Sequence, residues 1–388
     1  MNAFPDSASS ATSRQGAPPK QATALRHRLA ELRGPDTRPQ PLDARRLAAL
    51  AANPGCDRRA LLDGAGVDKA ALAGAIGAPS GFGQSQFAFV RGNAFEARVK
   101  ADGGAELVRL VRSRLLPDAP EPIGGEVRRP DLAAPGTEGR VARTALALRE
   151  AVGIRAWTLL DHPMLALDVA GTPAFLEPDA VVVDPGGGIS VVEIKSFPMI
   201  DGFAEPAKVG AAARQAAVYV LALEAVAARL DPAPPVAHTV LLVCPRDFSN
   251  VPTAAAVDVR KQRSVTRRQL ARLTRVEDIA AALPEGVCFA VDQDPGALRA
   301  AVAAVPASYA PECLAACELA FHCRERAGAG GEVTALGRGV RGELGGLATV
   351  GAVLSAARGA SGDPADPAVA ALRRAAALRA EALGGAAC

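Results

Sequence analysis

Three side chains suited to phosphate chemistry are closely spaced in the sequence: Asp179, Glu193 and Lys195. Residues i and i+2 of a β-strand face the same side of a sheet, so Glu193 and Lys195 would point together. The run Pro185–Gly188 predicts a hairpin between the segments that carry them. A three-residue loop would set Asp179 directly opposite Glu193, whereas a four-residue loop would shift the register by one. Either register brings two carboxylates and one ammonium to one place on a sheet.

Two convergent carboxylates suit a hard divalent cation, Mg²⁺ or Mn²⁺, with water filling the remaining octahedral positions. Such an ion stabilises charge on a phosphodiester and lowers the pKa of an attacking water. Lys195 would orient that water or neutralise the charge that develops on the phosphate. The alternative is an edge hairpin that carries only a surface ion pair, and this pattern alone does not separate the two.

Two further features bear on that choice. Gln215 and Tyr219 are four residues apart on a predicted helix and therefore share a face. Gly92 and Glu96 lie in the first turns of another predicted helix. In chain order the motifs are Arg91-Gly92-Asn93-Ala94-Phe95-Glu96, Pro178-Asp179, Glu193-Ile194-Lys195-Ser196 and Gln215-x3-Tyr219. This series resembles the RecB-like branch of the PD-(D/E)xK nucleases, and the resemblance covers about residues 50–326.

The resemblance implies a role for each charged residue of the series. Asp179 and Glu193 would be metal ligands, and Lys195 would be the catalytic lysine. Glu96 lies near the position where many relatives carry a helical His or Glu that completes the metal site. The acid is present here and the His is not.

The resemblance also implies the fold: α/β, with a restriction-endonuclease-like core in which helices flank a central mixed sheet, plus helical extensions. The order of predicted elements, a helix, several strands, a helix and a strand, indicates an α/β core with a mixed sheet in its own right. Gln215 and Tyr219 would support the site and contact the DNA backbone, the alternative being an ordinary helix face.

The seven cysteines include one dense group, Cys313-x3-Cys317-x5-Cys323. Three thiolates at this spacing suit a tetrahedral metal or a cluster whose fourth ligand comes from elsewhere in the chain. With Cys56 before the nuclease core, the pattern resembles the iron–sulphur RecB-like exonucleases, which include the AddB-type nuclease domain and the CRISPR-associated exonucleases. In those proteins a 4Fe–4S cluster joins the two ends of the domain. The first gap here is one residue longer than the gap those relatives often show.

Zinc is the competing occupant, with His322 as a substitute ligand. Unliganded buried thiols are the remaining alternative, and they are the natural interpretation of Cys244, Cys288 and Cys388. Clustered cysteines in a reducing compartment are more often metal ligands than disulfides. We expect a cytoplasmic protein, because residues 1–40 lack the apolar segment of a signal peptide.

Composition excludes several classes of protein. Hydrophobic residues make up 49% of the chain and charged residues 22%, so it is not wholly disordered. The net charge of +3 is too small to indicate nucleic acid or a membrane as a partner. Aromatic residues make up 4% of the chain, which argues against a single-strand binder built on stacking platforms.

The phosphate-loop spacing is absent, so any helicase or ATPase would be a separate chain. The longest apolar run, Ala216–Ala228, carries Glu224 and is not expected to span a membrane.

We predict three segments: a disordered or loosely helical segment over 1–40, the nuclease domain over 41–330 with the cysteine cluster joining its ends, and a Gly/Ala-rich helical tail over 331–388. The predicted helices are Ala22–Arg33, Asp43–Ala52, Arg91–Leu116 with a kink at Gly103 and Gly104, Ala211–Arg229, Thr266–Thr274 and a tail helix that begins at Asp366-Pro367. Residues 117–139 are predicted to be a loop. The predicted strands are Ile154–Leu160, Met164–Val169, Asp179–Asp184, Ile189–Lys195 and Thr239–Cys244.

One segment is strongly basic, with Arg260, Lys261, Arg263, Arg267, Arg268, Arg272 and Arg275. These residues suit phosphate contacts or, equally, a solvated helix face.

The sequence therefore predicts a metal-dependent DNA nuclease, by its resemblance an exonuclease that acts on DNA ends or single strands in repair, recombination or phage defence. One alternative is a non-catalytic DNA-binding or scaffold subunit of a nuclease–helicase complex that keeps the same fold. A second is a site-specific endonuclease.

Overall fold

The computed structural model describes residues 19–79, 86–169, 172–247, 249–271, 276–310, 313–314, 316–331, 333–336 and 338–385. The strands are β1 (Thr158–Asp161), β2 (Leu165–Val169), β3 (Thr172–Leu176), β4 (Ala180–Val183), β5 (Ile189–Ile194), β6 (Thr239–Pro245) and β7 (Pro252–Asp258). The helices are α1 (Pro19–Arg33), α2 (Ala44–Ala52), α3 (Asp57–Gly64), α4 (Lys69–Ala75), α5 (Gln86–Val99), α6 (Ala105–Leu115), α7 (Gly136–Ile154), α8 (Pro206–Ala227), α9 (Arg260–Leu270), α10 (Val276–Ala281), α11 (Pro295–Ala304), α12 (Ala320–Gly330), α13 (Arg338–Glu343), α14 (Val350–Ala357) and α15 (Pro367–Gly385).

Five strands form one mixed sheet in the order β1-β4-β5-β6-β7, which confirms the predicted α/β class. The pair β5–β6 is parallel and the other three pairs are antiparallel. A parallel pair needs a crossover connection, and α8 forms it between β5 and β6. Strands β2 and β3 pair separately as an antiparallel hairpin.

Both faces of this sheet are covered, so its central strands are apolar on both sides. On β5, Ile189 and Val191 belong to the larger core, which includes α2, α3 and α8. Val192 and Ile194 point the other way, into the core formed with α5 and α6. Glu193 alternates with these residues and shares the α8 face with Val191.

The β4–β5 turn fixes the register that the site depends on. The N–H of Asp184 donates to the carbonyl of Gly188 at 3.0 Å, which closes a three-residue loop. Gly187 has φ +85° within it, a backbone conformation that favours glycine. Ala180 lies opposite Val192, so Asp179 falls opposite Glu193, as expected for the shorter loop.

Several predicted elements need correction. The helix predicted over Arg91–Leu116 is two helices, α5 and α6, because Gly103 and Gly104 have φ of +71° and +86° and interrupt it. The predicted loop over 117–139 ends early, since α7 begins at Gly136 and extends to Ile154. Strand β1 consequently begins at Thr158 rather than at Ile154.

The basic helix begins at Arg260 rather than Thr266 and ends at Leu270. Residues 272–274 of the predicted span lie outside the described residues. Strands β3 and β7 were not predicted, because Thr172–Leu176 contains Pro173, and the alanine-rich Pro252–Asp258 has weak strand propensity.

Helix α8 contains the segment Lys208–Ala227, which is long and apolar enough to cross a membrane by length and composition alone. Half of that segment is buried within the protein. The helix packs on α2, α9, β2 and β5, so its apolar residues are those of a core helix.

Candidate active site and cysteine cluster

The carboxylates of Asp179 and Glu193 meet across the β4–β5 hairpin, and Lys195 lies beside both. The backbone N–H of Ile194 donates to Oδ2 of Asp179 at 2.7 Å. The Lys195 ammonium is 3.7 Å from the same oxygen and forms a closer ion pair with Oε1 of Glu193. The structure thus brings together the three residues that the sequence analysis selected.

Glu193 is almost completely buried, with 1% of its side chain exposed. Burial raises the pKa of Glu193 to about 7, against the lowering effect of the Lys195 charge. Oε1 of Glu193 is compensated by the Lys195 ammonium, whereas Oε2 has no hydrogen-bond partner among the described residues. A buried carboxylate that is only partly satisfied is costly unless another group completes its contacts, and a bound cation would do so.

Helix α8 supports the connection between β3 and β4 that leads into Asp179. The hydroxyl of Tyr219 donates to the carbonyl of Glu177 at 3.2 Å and lies 3.0 Å from Nε2 of Gln215. Burial raises the pKa of Tyr219, and the nearby Glu193 charge adds to the effect, so the phenol stays protonated. Gln215 and Tyr219 therefore lie at the site in a supporting position, while their contact with DNA stays a prediction.

Glu96 reaches the site from α5, together with three residues that the sequence analysis did not select: Lys100, Asp161 and His162. The ligand atoms of Glu96, Asp161 and His162 all lie within 4.8 Å of one another, and no other described residues form such a trio. Burial alone would raise the pKa of Glu96, but hydrogen bonds from His162 and Lys100 outweigh it and hold the pKa at about 2.

The pairing of β1 with β4 places Asp161 and His162 at this site. Asp161 ends β1, which pairs with β4 so that Asp161 lies opposite Ala180, next to Asp179. His162 follows with φ +47°, an uncommon backbone conformation for a residue other than glycine that often marks functional sites. In the sequence, the one sign of these two residues is a polar pair directly after a predicted strand. Such pairs are too common to identify a site.

An open cavity of about 530 Å³ borders this trio. Arg129 and Arg140 line it together with Asp161 and His162. Arg129 pairs with Asp161 at 3.0 Å, and Arg140 pairs with Glu177 at 2.6 Å. Guanidinium groups held beside the acidic site are suited to contacts with a phosphate backbone.

The basic segment lies on another part of the molecule, where α9 packs on α8 and α2. Arg260 and Arg263 pair with acids on β7 and α8. Arg267 and Arg268 are exposed. Arg272 and Arg275 lie outside the described residues.

The four cysteines selected from the sequence come together where α3 meets the segment 305–323. Cys56 precedes α3, and Cys323 lies in α12. Burial raises the pKa of the Cys323 thiol, and the neighbouring Cys56 and Cys313 thiols raise it further. Burial also raises the pKa of Cys317 to about 12, with a contribution from Cys323.

Polar side chains donate to two of these sulfurs. Asn53 Nδ2 is 3.4 Å from Sγ of Cys313, and Arg58 Nη1 is 3.2 Å from Sγ of Cys323. Arg58 is buried and also donates to the carbonyl of Val305 at 3.0 Å. Donors of this kind fit cysteines that bind a metal group as thiolates, because they stabilise the negative charge on sulfur.

The spacing of the sulfurs bears on which group fits. Within the described residues, no three of the four sulfurs lie within 4.8 Å of one another. A tetrahedral zinc site with Zn–S bonds of about 2.3 Å would place its sulfurs about 3.8 Å apart. His322 has a buried Nε2 that makes no hydrogen bond to a described residue. Cys244 is buried in β6, Cys288 is partly exposed, and Cys388 lies outside the described residues.

No family model, curated protein or solved structure matches this chain.

Proposed function

We propose that this chain is a metal-dependent DNA nuclease with a restriction-endonuclease-like core. The observation that carries the proposal is Glu193, a buried carboxylate that lies opposite Asp179 and pairs with Lys195 through Oε1, while its Oε2 has no hydrogen-bond partner among the described residues. A structural ion pair has no need of a second acid at the same place, since like charges raise the energy of both.

Asp179 and Glu193 would hold one divalent cation, Mg²⁺ or Mn²⁺. Within the part of the chain that the structure describes, the polar contacts of Glu96 with Lys100 and His162 use Oε1, and Oε2 would complete the ligand set. The cation supplies charge stabilisation to a phosphodiester and lowers the pKa of the attacking water. Oxygen ligands from carboxylates fit these hard ions.

Lys195 is the residue of this chain that would act directly on the reacting groups. Burial lowers the pKa of Lys195, but the charges of Glu193 and Asp179 outweigh this effect and raise the pKa overall. The ammonium therefore persists at neutral pH. It orients the attacking water and neutralises the charge that develops on the phosphate. Tyr219 and Gln215 hold the connection between β3 and Asp179 in place.

DNA is the proposed substrate, attacked at ends or in single strands. Arg129 and Arg140, in the cavity beside Asp161 and His162, would contact the phosphate backbone. A separate helicase or ATPase chain would supply single strands, since no phosphate-loop motif is present in this chain. Repair, recombination and phage defence are the processes that use such an activity.

We further propose that Cys56, Cys313, Cys317 and Cys323 hold a 4Fe–4S cluster. The donors Asn53 and Arg58 beside Cys313 and Cys323 support a bound metal group, and the resemblance to the iron–sulphur exonucleases, with Cys56 ahead of the core, favours a cluster over a single zinc ion. Such a group would join the segment around α3 to the segment 305–323, and so contribute to folding rather than to hydrolysis.

The test is Mn²⁺-dependent digestion of end-labelled DNA. We expect Asp179→Ala, Glu193→Ala and Lys195→Ala each to lower the rate at least about 100-fold, which is the effect of removing one preorganised group from a charged transition state. Glu96→Gln should reduce activity by less. Glu224→Gln is the matched control, because it neutralises another half-buried acid on α8 that pairs with Arg263.

Undiminished digestion by the Glu193→Ala protein would contradict the catalytic assignment. A wild-type protein that binds DNA but cleaves none with Mg²⁺ or Mn²⁺ would instead support the non-catalytic scaffold. Cleavage inside closed circular DNA would support the endonuclease.

A further inference from the structure

Lys100 is the buried group at the centre of the Glu96–Asp161–His162 trio, with 7% of its side chain exposed. Its Nζ donates to Oε1 of Glu96 at 2.5 Å and to the carbonyl of Asp179 at 2.7 Å. The same atom is 2.6 Å from Oδ1 of Asp161 and 3.2 Å from Nε2 of His162. One ammonium therefore contacts every member of the trio and the backbone of the Asp179 strand.

These four contacts are the kind a divalent cation makes. Two carboxylates and a carbonyl oxygen are ordinary ligands of Mg²⁺ or Mn²⁺, and an imidazole nitrogen is a common ligand of divalent transition metals. Two carboxylates this close repel each other unless a cation lies between them. Lys100 supplies that positive charge, and its Nζ takes the space between the ligand atoms.

Enzymes that cleave phosphodiesters often hold two metal ions about 3.5–4 Å apart. We propose that Lys100 is a built-in cation in the second metal position, so that this protein binds one divalent ion instead of two. The single ion would lie at Asp179 and Glu193, and only this part of the inference rests on the proposed function. The ammonium also ties α5 to the start of β4 through the Asp179 carbonyl.

The experiment counts bound Mn²⁺ by calorimetry and by electron paramagnetic resonance on the full chain. We expect one Mn²⁺ in the wild type and two in Lys100→Met, which removes the charge and leaves out the terminal Nζ atom while it keeps an unbranched side chain. The second ion should be lost again in the double variant Lys100→Met/Asp161→Asn. Lys100→Arg is the matched control that keeps the charge, and it should bind one ion.

A thermal melt accompanies the count, because the Met variant leaves two carboxylates without their cation. Mn²⁺ should therefore raise the Tm of Lys100→Met more than it raises the Tm of the wild type. A Met variant that folds only with Mn²⁺ present also supports the inference, since the ion then replaces the missing charge. A variant that folds at no Mn²⁺ concentration contradicts it.

Two further results overturn the inference: two Mn²⁺ ions in the wild type, or a folded Lys100→Met protein that binds no more ions than the wild type. Failure of the proposed function looks different. In that case the wild type binds no Mn²⁺, or Glu193→Gln leaves its single ion in place, while Lys100→Met still gains one site that depends on Asp161.

Discussion

The buried position of Glu193 makes its charge costly, and the cost depends on pH. Its pKa of about 7 in the folded protein exceeds the ordinary 4.5, so the folded state binds more protons than the unfolded state between these values. The contribution of Glu193 to stability is then greatest below pH 4.5 and is lost as pH rises through about 7. We expect Glu193→Gln to gain about 2–3 kcal/mol over the wild type between pH 5 and pH 8.

Urea unfolding at several pH values, on protein freed of divalent cations, measures this difference. Glu224→Gln is the control, because burial would raise the pKa of Glu224 but hydrogen bonds from Arg263 and His238 lower it. Its contribution is present above pH 4.5 and is lost only in acid. Parallel curves for wild type and Glu193→Gln would show that Glu193 is ionised throughout.

The residues that could be predicted from the sequence are those whose chemical type suits the site and whose spacing matches the alternation of a strand. Asp179, Glu193 and Lys195 were predictable because alternation along a strand and a glycine-rich turn fix their relation. Lys100 and Asp161 were not, since their meeting depends on how α5 packs on β1, and no local pattern encodes that. Lys100 is four residues after Glu96, a helical spacing that gives the one local hint.

The α5–α6 bend is the element that brings Lys100 to the sheet. A Cβ at Gly104 would lie 2.3 Å from Cδ2 of Leu159 in β1, and the residue has φ +86°. We expect Gly104→Ala to cost about 2–5 kcal/mol, from left-handed strain and from the clash in the core. It should also lower the proposed nuclease activity, because β1 carries Asp161.

Gly103→Ala is the matched control for that substitution. Gly103 has φ +71°, but a Cβ there meets nothing within 4 Å. The strain alone should cost about 1–2 kcal/mol, as measured by thermal or urea unfolding. Equal losses in the two variants would mean that Leu159 moves aside.

Helices and strands were predicted correctly where hydrophobic residues recur with a regular helical or strand period. They were missed where the amino-acid composition of the segment is atypical of the element that it forms. Strand β6 and helices α2 and α8 were predicted within a few residues. Helix α7 was missed because it begins in a stretch rich in Pro and Gly. Strand β7 was missed because alanine does not indicate a strand, and its pairing with β6 decides the conformation.

The contact between α3 and the segment 305–323 joins distant parts of the whole molecule. The N–H of Arg58 donates to the carbonyl of Pro306 at 2.8 Å, and the Arg58 side chain reaches Cys323, 265 positions away. If the four cysteines hold a 4Fe–4S cluster, the anaerobic protein should be brown, with absorbance near about 400 nm and about four irons per chain.

Cys56→Ser should lose iron and about 2–5 kcal/mol of stability, comparable to the loss of a covalent cross-link that closes a long loop. Cys244→Ser and Cys288→Ser are the controls, because both thiols lie outside the group, and they should keep their iron. A colourless protein with one zinc per chain would refute the cluster. Full iron retention in Cys56→Ser would point to His322 as the fourth ligand.

The same contact sets the order of events during synthesis. Every residue of the Asp179–Glu193–Lys195 site leaves the ribosome before Cys313, whereas the layer around α3 and Cys56 waits for its partner segment. The sheet can therefore form while the chain is still being made, as local units generally do. Closure around Cys56 comes later, and if the four cysteines hold a metal group, its supply would limit how much finished protein a cell accumulates rather than how fast each molecule works.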